Sequence, residues 1–124
     1  MPSSVAAIER LCERIRALLR RWRLRSMQFP VEVLARECLN NAVLHGNFRR
    51  AHSHVSFRMR IGRKRICLRV TDRGPGFNWR RRRGLRRPGA NAINGRGLLI
   101  FQMFADGVVF NRRGNQVTLW INTA

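Results

Sequence analysis

The chain has 124 residues, enough to hide about two-thirds of its unfolded surface in one core and too few for two. A hydrophobic fraction of 44% excludes a disordered basic tail. The formal net charge of +20, from 25 Arg and one Lys against six acids, implies an anionic partner: nucleic acid, an acidic protein, a lipid surface or the phosphates of a small ligand.

Val5, Ile8, Leu11, Ile15, Leu18, Leu19 and Trp22 recur at helical spacing behind Ser3 or Ser4 as N-cap, which predicts an amphipathic helix over 4–24. Its arginines lie mostly off that stripe, as on a core-packed helix with a solvated basic face; a membrane-surface helix is the alternative. Pro30 suits the first turn of a second helix and Gly46 its C-terminal end, with Leu34, Cys38, Leu39, Ala42 and Val43 as the apolar side. Val55, Phe57, Met59 and Ile61 alternate with polar residues, 62–65 reads as a turn, and Ile66, Leu68 and Val70 resume the alternation. That is a hairpin with one buried face. Periodicity vanishes over 73–94, where Gly, Pro and Arg dominate, as in a lid, a binding loop or disorder. Residues 97–104 predict a short helix, and 108–110 with 117–121 a closing hairpin. This order describes one domain, 1–124, of the α+β class: a two-layer sandwich with helices on one face of a mainly antiparallel sheet.

Three constellations carry chemistry. On the second helix Glu37, Asn41 and His45 are spaced four apart, so they share one face with a drift of about 40° per step. A carboxylate there can take a proton, and an amide oxygen suits Mg²⁺; a polar, solvated helix face is the plainer reading. At the end of the second strand, Asp72-x-Gly74-x-Gly76-Phe77 places an acceptor-only side chain at the sheet's edge. The glycines let the backbone approach a ligand closely, and the stretch is also an ordinary turn sequence. The third is Gly95-Arg96-Gly97-Leu98, opening a helix whose backbone N–H groups can meet phosphate oxygens. Ile100 stands where a dinucleotide fingerprint needs its last glycine, no GxxxxGK occurs, and the His and Cys spacings fit no zinc pattern.

In that order, Glu37-x-x-x-Asn41-Ala42-x-x-His45-Gly46, Asp72-x-Gly74-x-Gly76-Phe77 and Gly95-x-Gly97-Leu98 resemble the three boxes of the Bergerat ATP-binding fold, the superfamily of histidine kinases and DNA gyrase. The stretch Asn-Ala-x-x-His-Gly-Asn, and Phe104-Ala105-Asp106 after the third box, look most like the anti-sigma-factor serine kinases. The resemblance implies a histidine-kinase-like ATP-binding domain with 73–94 as the ATP lid. It implies Glu37 as general base, Asn41 as Mg²⁺ ligand and Asp72 as reader of the adenine amine. Gly74, Gly76 and Phe77 would shape the pocket, 95–98 would hold the phosphates, and His45 and Asn115 would lie at the ATP site. It further implies ATP as substrate, a sigma factor and a STAS-type anti-anti-sigma protein as partners, possible homodimerisation and a bacterial cytoplasmic location. A Bergerat regulator without kinase activity, or one serving a sensor kinase, is the alternative. A nucleic-acid module built on the Arg-rich loop is a less favoured one.

No acid occurs between Glu37 and Asp72, so the two acids flanking that gap are the ones the motifs require. Two departures stand out: only three residues precede the first helix, where the family usually has a strand, and Gly114-Asn115 replaces the family's Gly-Thr. No apolar run reaches the ~18 residues of a membrane span, charges interrupt any signal peptide, and Cys12, Cys38 and Cys67 in no CxxC pattern suit a reducing compartment. Trp22, Trp79 and Trp120 read as packing residues, with Trp79 the one candidate for exposure.

Overall fold

The computed structural model of the protein describes residues 5–42, 55–72, 95–112 and 115–123. Helix α1, Val5–Arg21, buries Ala7, Ile8, Cys12, Ile15 and Leu19 along one stripe. It stops because Arg23 takes a left-handed backbone (φ 57), which no helix continues, and Leu24 turns back to donate its N–H to the Leu19 carbonyl at 2.8 Å. Trp22 falls in this reversal and is 60% exposed, so the expectation that it packs in the core is wrong. Cys12 and Ala7 occupy the stripe, while Leu11 and Leu18 are half-buried beside it.

A single 3-10 turn, Arg25–Met27, leads into helix α2, Gln28–Asn41, with Pro30 in its first turn as its missing N–H allows. Val31, Leu34, Ala35, Cys38 and Leu39 are buried, and α2 packs on α1, on the third helix and on the second strand. Across the two helices Arg16 Nε donates to Glu32 Oε2 at 2.9 Å, and Arg36 bridges Glu9 and Glu32. The Ser3 or Ser4 cap, Val43 and Gly46 lie outside the described residues.

Strands β1, Ser56–Ile61, and β2, Arg65–Thr71, form the expected hairpin, closed by Gly62 N–H to the Arg65 carbonyl at 2.9 Å. Helix α3, Gly95–Phe104, precedes the closing hairpin of β3, Gly107–Phe110, and β4, Gln116–Asn122. The four strands are antiparallel in the order β1-β2-β4-β3, leaving β1 and β3 as edges among the described residues. Ile66, Leu68, Val70, Leu119 and Ile121 point inward and join α1, α2 and Phe101 of α3 in one core. The expected α+β two-layer sandwich is therefore observed, with the helices covering one sheet face. Trp120 lies on the other face, not in the core, and its indole spans the place of a side chain at Gly107: a Cβ there would come within 1.8 Å of the ring.

Two outcomes follow from this packing. Gly107→Ala should cost about 1–3 kcal/mol by overpacking against Trp120, read as a lower unfolding midpoint in urea. Arg16, by hydrogen bonding, holds the Glu32 carboxyl below the ordinary range, with Arg36 adding to it against the opposing effect of burial; Arg36 does the same for Glu9. A lowered folded value means stability fully present above the ordinary glutamate pKa of about 4.3 and lost as pH falls through the folded values beneath it. Thermal denaturation against pH should show that acid-side decline, and Glu32→Gln should remove part of it.

Candidate functional site

Glu37 and Asn41 stand one turn apart in the C-terminal half of α2. Glu37 is 4% exposed, the only charged residue in the buried class among the described residues, so the solvated-face reading does not hold for it. The five apolar side chains that seat α2 fix its rotation, and the carboxylate goes inside with them. Burial, and after it the nearby Glu37 carboxylate, push the Cys38 thiol up, which keeps that cysteine protonated and chemically quiet.

Asn41 Nδ2 is buried and has no hydrogen-bond partner among the described residues. An unmet buried donor costs about 1–3 kcal/mol, which an anionic oxygen brought by a ligand would recover. A half-turn of the amide puts Oδ1 in the same place, so the position serves either a phosphate oxygen or a hard cation. No group of three or more His, Cys, Asp or Glu able to hold a metal occurs among the described residues. Mg²⁺ is normally held by one or two protein oxygens together with phosphates and water, so this sparse donor set fits a metal that arrives with a triphosphate.

Asp72 follows the last residue of β2, and its backbone is held on both sides by one residue. Asp72 N–H donates to the Asn115 carbonyl at 2.9 Å, and Asn115 Nδ2 donates to the Asp72 carbonyl at 3.0 Å. Asn115 is itself held: its Oδ1 accepts from Asn111 Nδ2 at 2.8 Å, and its N–H donates to Asn111 Oδ1 at 3.1 Å. Beside them Thr71 Oγ1 donates to Gln116 Oε1 at 3.0 Å. The residue that departs from the family's threonine thus becomes a clamp on the Asp72 main chain.

The third box is shifted relative to expectation. Helix α3 begins at Gly95, two residues early, so Gly95 and Gly97 are the first and third residues of the helix, not residues before it. Gly95 and Arg96 therefore lie in the first turn, where an α-helix leaves N–H groups without intrahelical acceptors. Gly97 is buried. The Phe29 and Phe104 rings meet edge to face with centroids 5.5 Å apart, joining the end of α3 to the start of α2. The first turn of α3 lies about 15 Å, one helix length, from that contact. His45, Gly74, Gly76, Phe77 and the 73–94 lid lie outside the described residues. A groove of about 370 Å³, lined by Arg25, Phe29, Glu32 and Arg36 among others, sits at the opposite end of α2 and contains no expected site residue.

The sequence profile of the histidine kinase-like ATPase domain matches residues 1–121. The chain belongs to that family. No curated protein matches it. The match spans the stretches on α2, after β2 and at the start of α3, and it makes this an ATP-binding type of domain. Among its described residues no helix is long and apolar enough to cross a membrane.

Sequence reasoning missed Asn111 in this ATPase domain. Its only trace is a second Asn four residues before Asn115 across a hairpin loop, a pattern that loops often carry without a clasp. Asn111→Ala and Asn115→Ala should each lower stability by about 1–2 kcal/mol. Because the two side chains bond each other, the double variant should lose less than the two single losses combined, as a double-mutant cycle of urea midpoints would show.

Proposed function

We propose that this ATPase domain is a bacterial cytoplasmic anti-sigma regulator with serine kinase activity. It binds ATP with Mg²⁺, transfers the γ-phosphate to a serine of a STAS-type anti-anti-sigma protein, and holds a sigma factor. The observation that carries the reading is the buried Glu37 carboxylate one turn before Asn41, whose amide has a buried atom awaiting a partner. Family membership supports ATP, and the resemblance of Asn41-Ala42-x-x-His45-Gly46-Asn47 and Phe104-Ala105-Asp106 to the anti-sigma-factor kinases supports the kinase branch.

Each residue then has a task. Asp72 accepts from the adenine amine, with its main chain clamped by Asn115 so that the acceptor does not drift. The N-terminal turn of α3 binds phosphate oxygens, where the helix's positive end favours negative charge. Asn41 faces the triphosphate and would hold Mg²⁺, which supplies charge neutralisation when bound. Glu37 takes the proton of the acceptor serine as its Oγ forms the new bond to the γ-phosphorus; the bond from that phosphorus to the bridging oxygen breaks, and ADP leaves. Chemistry of this kind rests on positioning and charge neutralisation, which a carboxylate fixed on a packed helix provides.

Titration with Mg-ATP by calorimetry should give saturable binding, and Asp72→Asn should weaken it roughly 10–100-fold, the worth of a hydrogen bond to a charged group. Glu37→Gln should keep binding within a few-fold while transfer of labelled phosphate to an acceptor protein falls by about 10²–10⁴. Transfer unchanged in Glu37→Gln would remove Glu37 as the base. ADP formation without transfer to any acceptor would leave a non-kinase ATPase regulator, and no saturable binding would sink the nucleotide reading.

A further inference from the structure

The sheet face that none of the described helices covers carries a second, unassigned concentration of chemistry. Outward positions alternate with the buried ones, and the strand register aligns them in rows. One row is Arg58, Arg69, Thr118 and Val109; the next is Arg60, Cys67, Trp120 and Gly107; a third holds Arg65 and Asn122. Arg58, Arg60, Arg65 and Arg69 are all exposed. Arg58 and Arg69 are directly opposed cross-strand partners, a like-charge pairing that destabilises a sheet on its own. Arg69 Nε leans to Thr118 Oγ1 at 3.3 Å, and the Arg65 guanidinium lies 5.8 Å from the Trp120 ring centroid. Arg63 and Lys64 extend the basic surface through the hairpin turn.

These 124 residues hold no acid that could neutralise that face. All six acids fall among the described residues, and none is on its rows. Glu9 and Glu32 are bound to Arg16 and Arg36 between α1 and α2; Glu13 is on α1, and Glu37 is buried on α2. Asp72 follows β2 at its clamp, and Asp106 accepts from Asn122 N–H at 2.6 Å at the start of β3. A second copy would bring the same +20 charge, so self-association through this face is opposed. The counter-charge is therefore not among these six acids.

We propose that the outward face of the sheet binds single-stranded nucleic acid, with Arg58, Arg60, Arg65 and Arg69 on the phosphates and Trp120 as a stacking platform. Guanidinium groups match phosphate oxygens bidentately, and the indole, which carries the Arg65 guanidinium over its ring, can take a base in its place as that guanidinium turns to a phosphate. Thr118 and Asn122, two positions either side of Trp120 on β4, supply donors and acceptors. The ring set among guanidinium groups favours nucleic acid over an acidic protein or an anionic bilayer, because every base has a π-face to stack on it while its own phosphate meets the cations. The surface is separate from the nucleotide boxes, and this binding does not depend on the ATP reading.

The test is anisotropy of a labelled 12-nucleotide single strand titrated with the full chain across salt. Four phosphate contacts predict a log-log salt slope of about −2.8 from this face, hence about 50-fold weaker binding between 50 and 200 mM salt. Replacing all four arginines by Gln should remove that part of the slope and most of the affinity. The matched α1 variant, with Arg10, Arg14, Arg20 and Arg21 changed to Gln, should keep both within a few-fold. Trp120→Leu should weaken binding about tenfold with the slope unchanged. Arg58→Gln with Arg60→Gln on the edge strand is the fallback if the fourfold variant does not fold, and should take about half the slope. Mg-ATP titration of the same variants shows separately whether the nucleotide site persists. Wild-type-like binding by the sheet variants, or no binding by wild type, overturns the proposal. So does equal affinity through the same arginines for polyglutamate, for vesicles of phosphatidylserine and phosphatidylcholine, or for a duplex of the same length.

Discussion

The burial of α2 is the constraint from which the rest follows. One helix of fourteen residues touches α1, α3 and β2, and five of its side chains are essentially without solvent. A helix held this way cannot rotate without bringing apolar groups into water, at about 1.5–3 kcal/mol for each large one. The register is reinforced at the flank by the ion pairs of Glu32 and Arg36 and at the start by the Phe29–Phe104 contact. Glu37 and Asn41 are consequently presented by the most firmly seated element of the domain. Groups that must meet a ligand in one geometry benefit most from that rigidity, because a misplacement of about 1 Å can cost about 10²-fold in rate.

Scarcity of negative charge leaves five of the six acids with identifiable tasks. Glu9 and Glu32 bind the helix layer together, Asp106 fastens the end of β4 through the Asn122 N–H, and Asp72 marks the end of β2. Glu37 alone is taken into the interior. The cations have no comparable division of labour among themselves, since most have no acid to meet. A chain with so few acids keeps a positive field over nearly every surface, which draws anions at long range and strengthens at low salt.

Much of the fold was legible because one-sided burial writes itself into spacing. The period-two runs before and after 62–65 located β1 and β2, and the spacing of Ile8, Ile15 and Leu19 located α1. Periodicity names a face but not the residue where a helix ends, so Trp22 was assigned to a stripe that the left-handed Arg23 had already abandoned. It also gives no depth: i, i+4 spacing put Glu37 and Asn41 on one side of α2 without saying that Glu37 is buried. The clamp of Asn115 on Asp72 spans 43 positions and joins a loop to a strand end, a relation that no local pattern carries. The start of α3 was misplaced by two residues because two glycines read as a loop, though they serve as the helix's first turn.

The arginines on the sheet can be weighed against a simpler function. Sheets protect their edges with charge, and Arg58 and Arg60 on edge strand β1 would be well placed to repel another strand. That explanation stops at β1. Arg65 and Arg69 belong to β2, which is paired on both sides and has no edge to protect. An interior strand that exposes two arginines, one of them opposite another arginine, carries a repulsion that its own fold does not use. The inward side of the same strand tolerates this because Ile66, Leu68 and Val70 are buried to within a few per cent, so the core and not the outer face holds β2 in register. The four guanidinium groups of the outer face are thus not needed to hold the register, and their charge suits an anionic ligand.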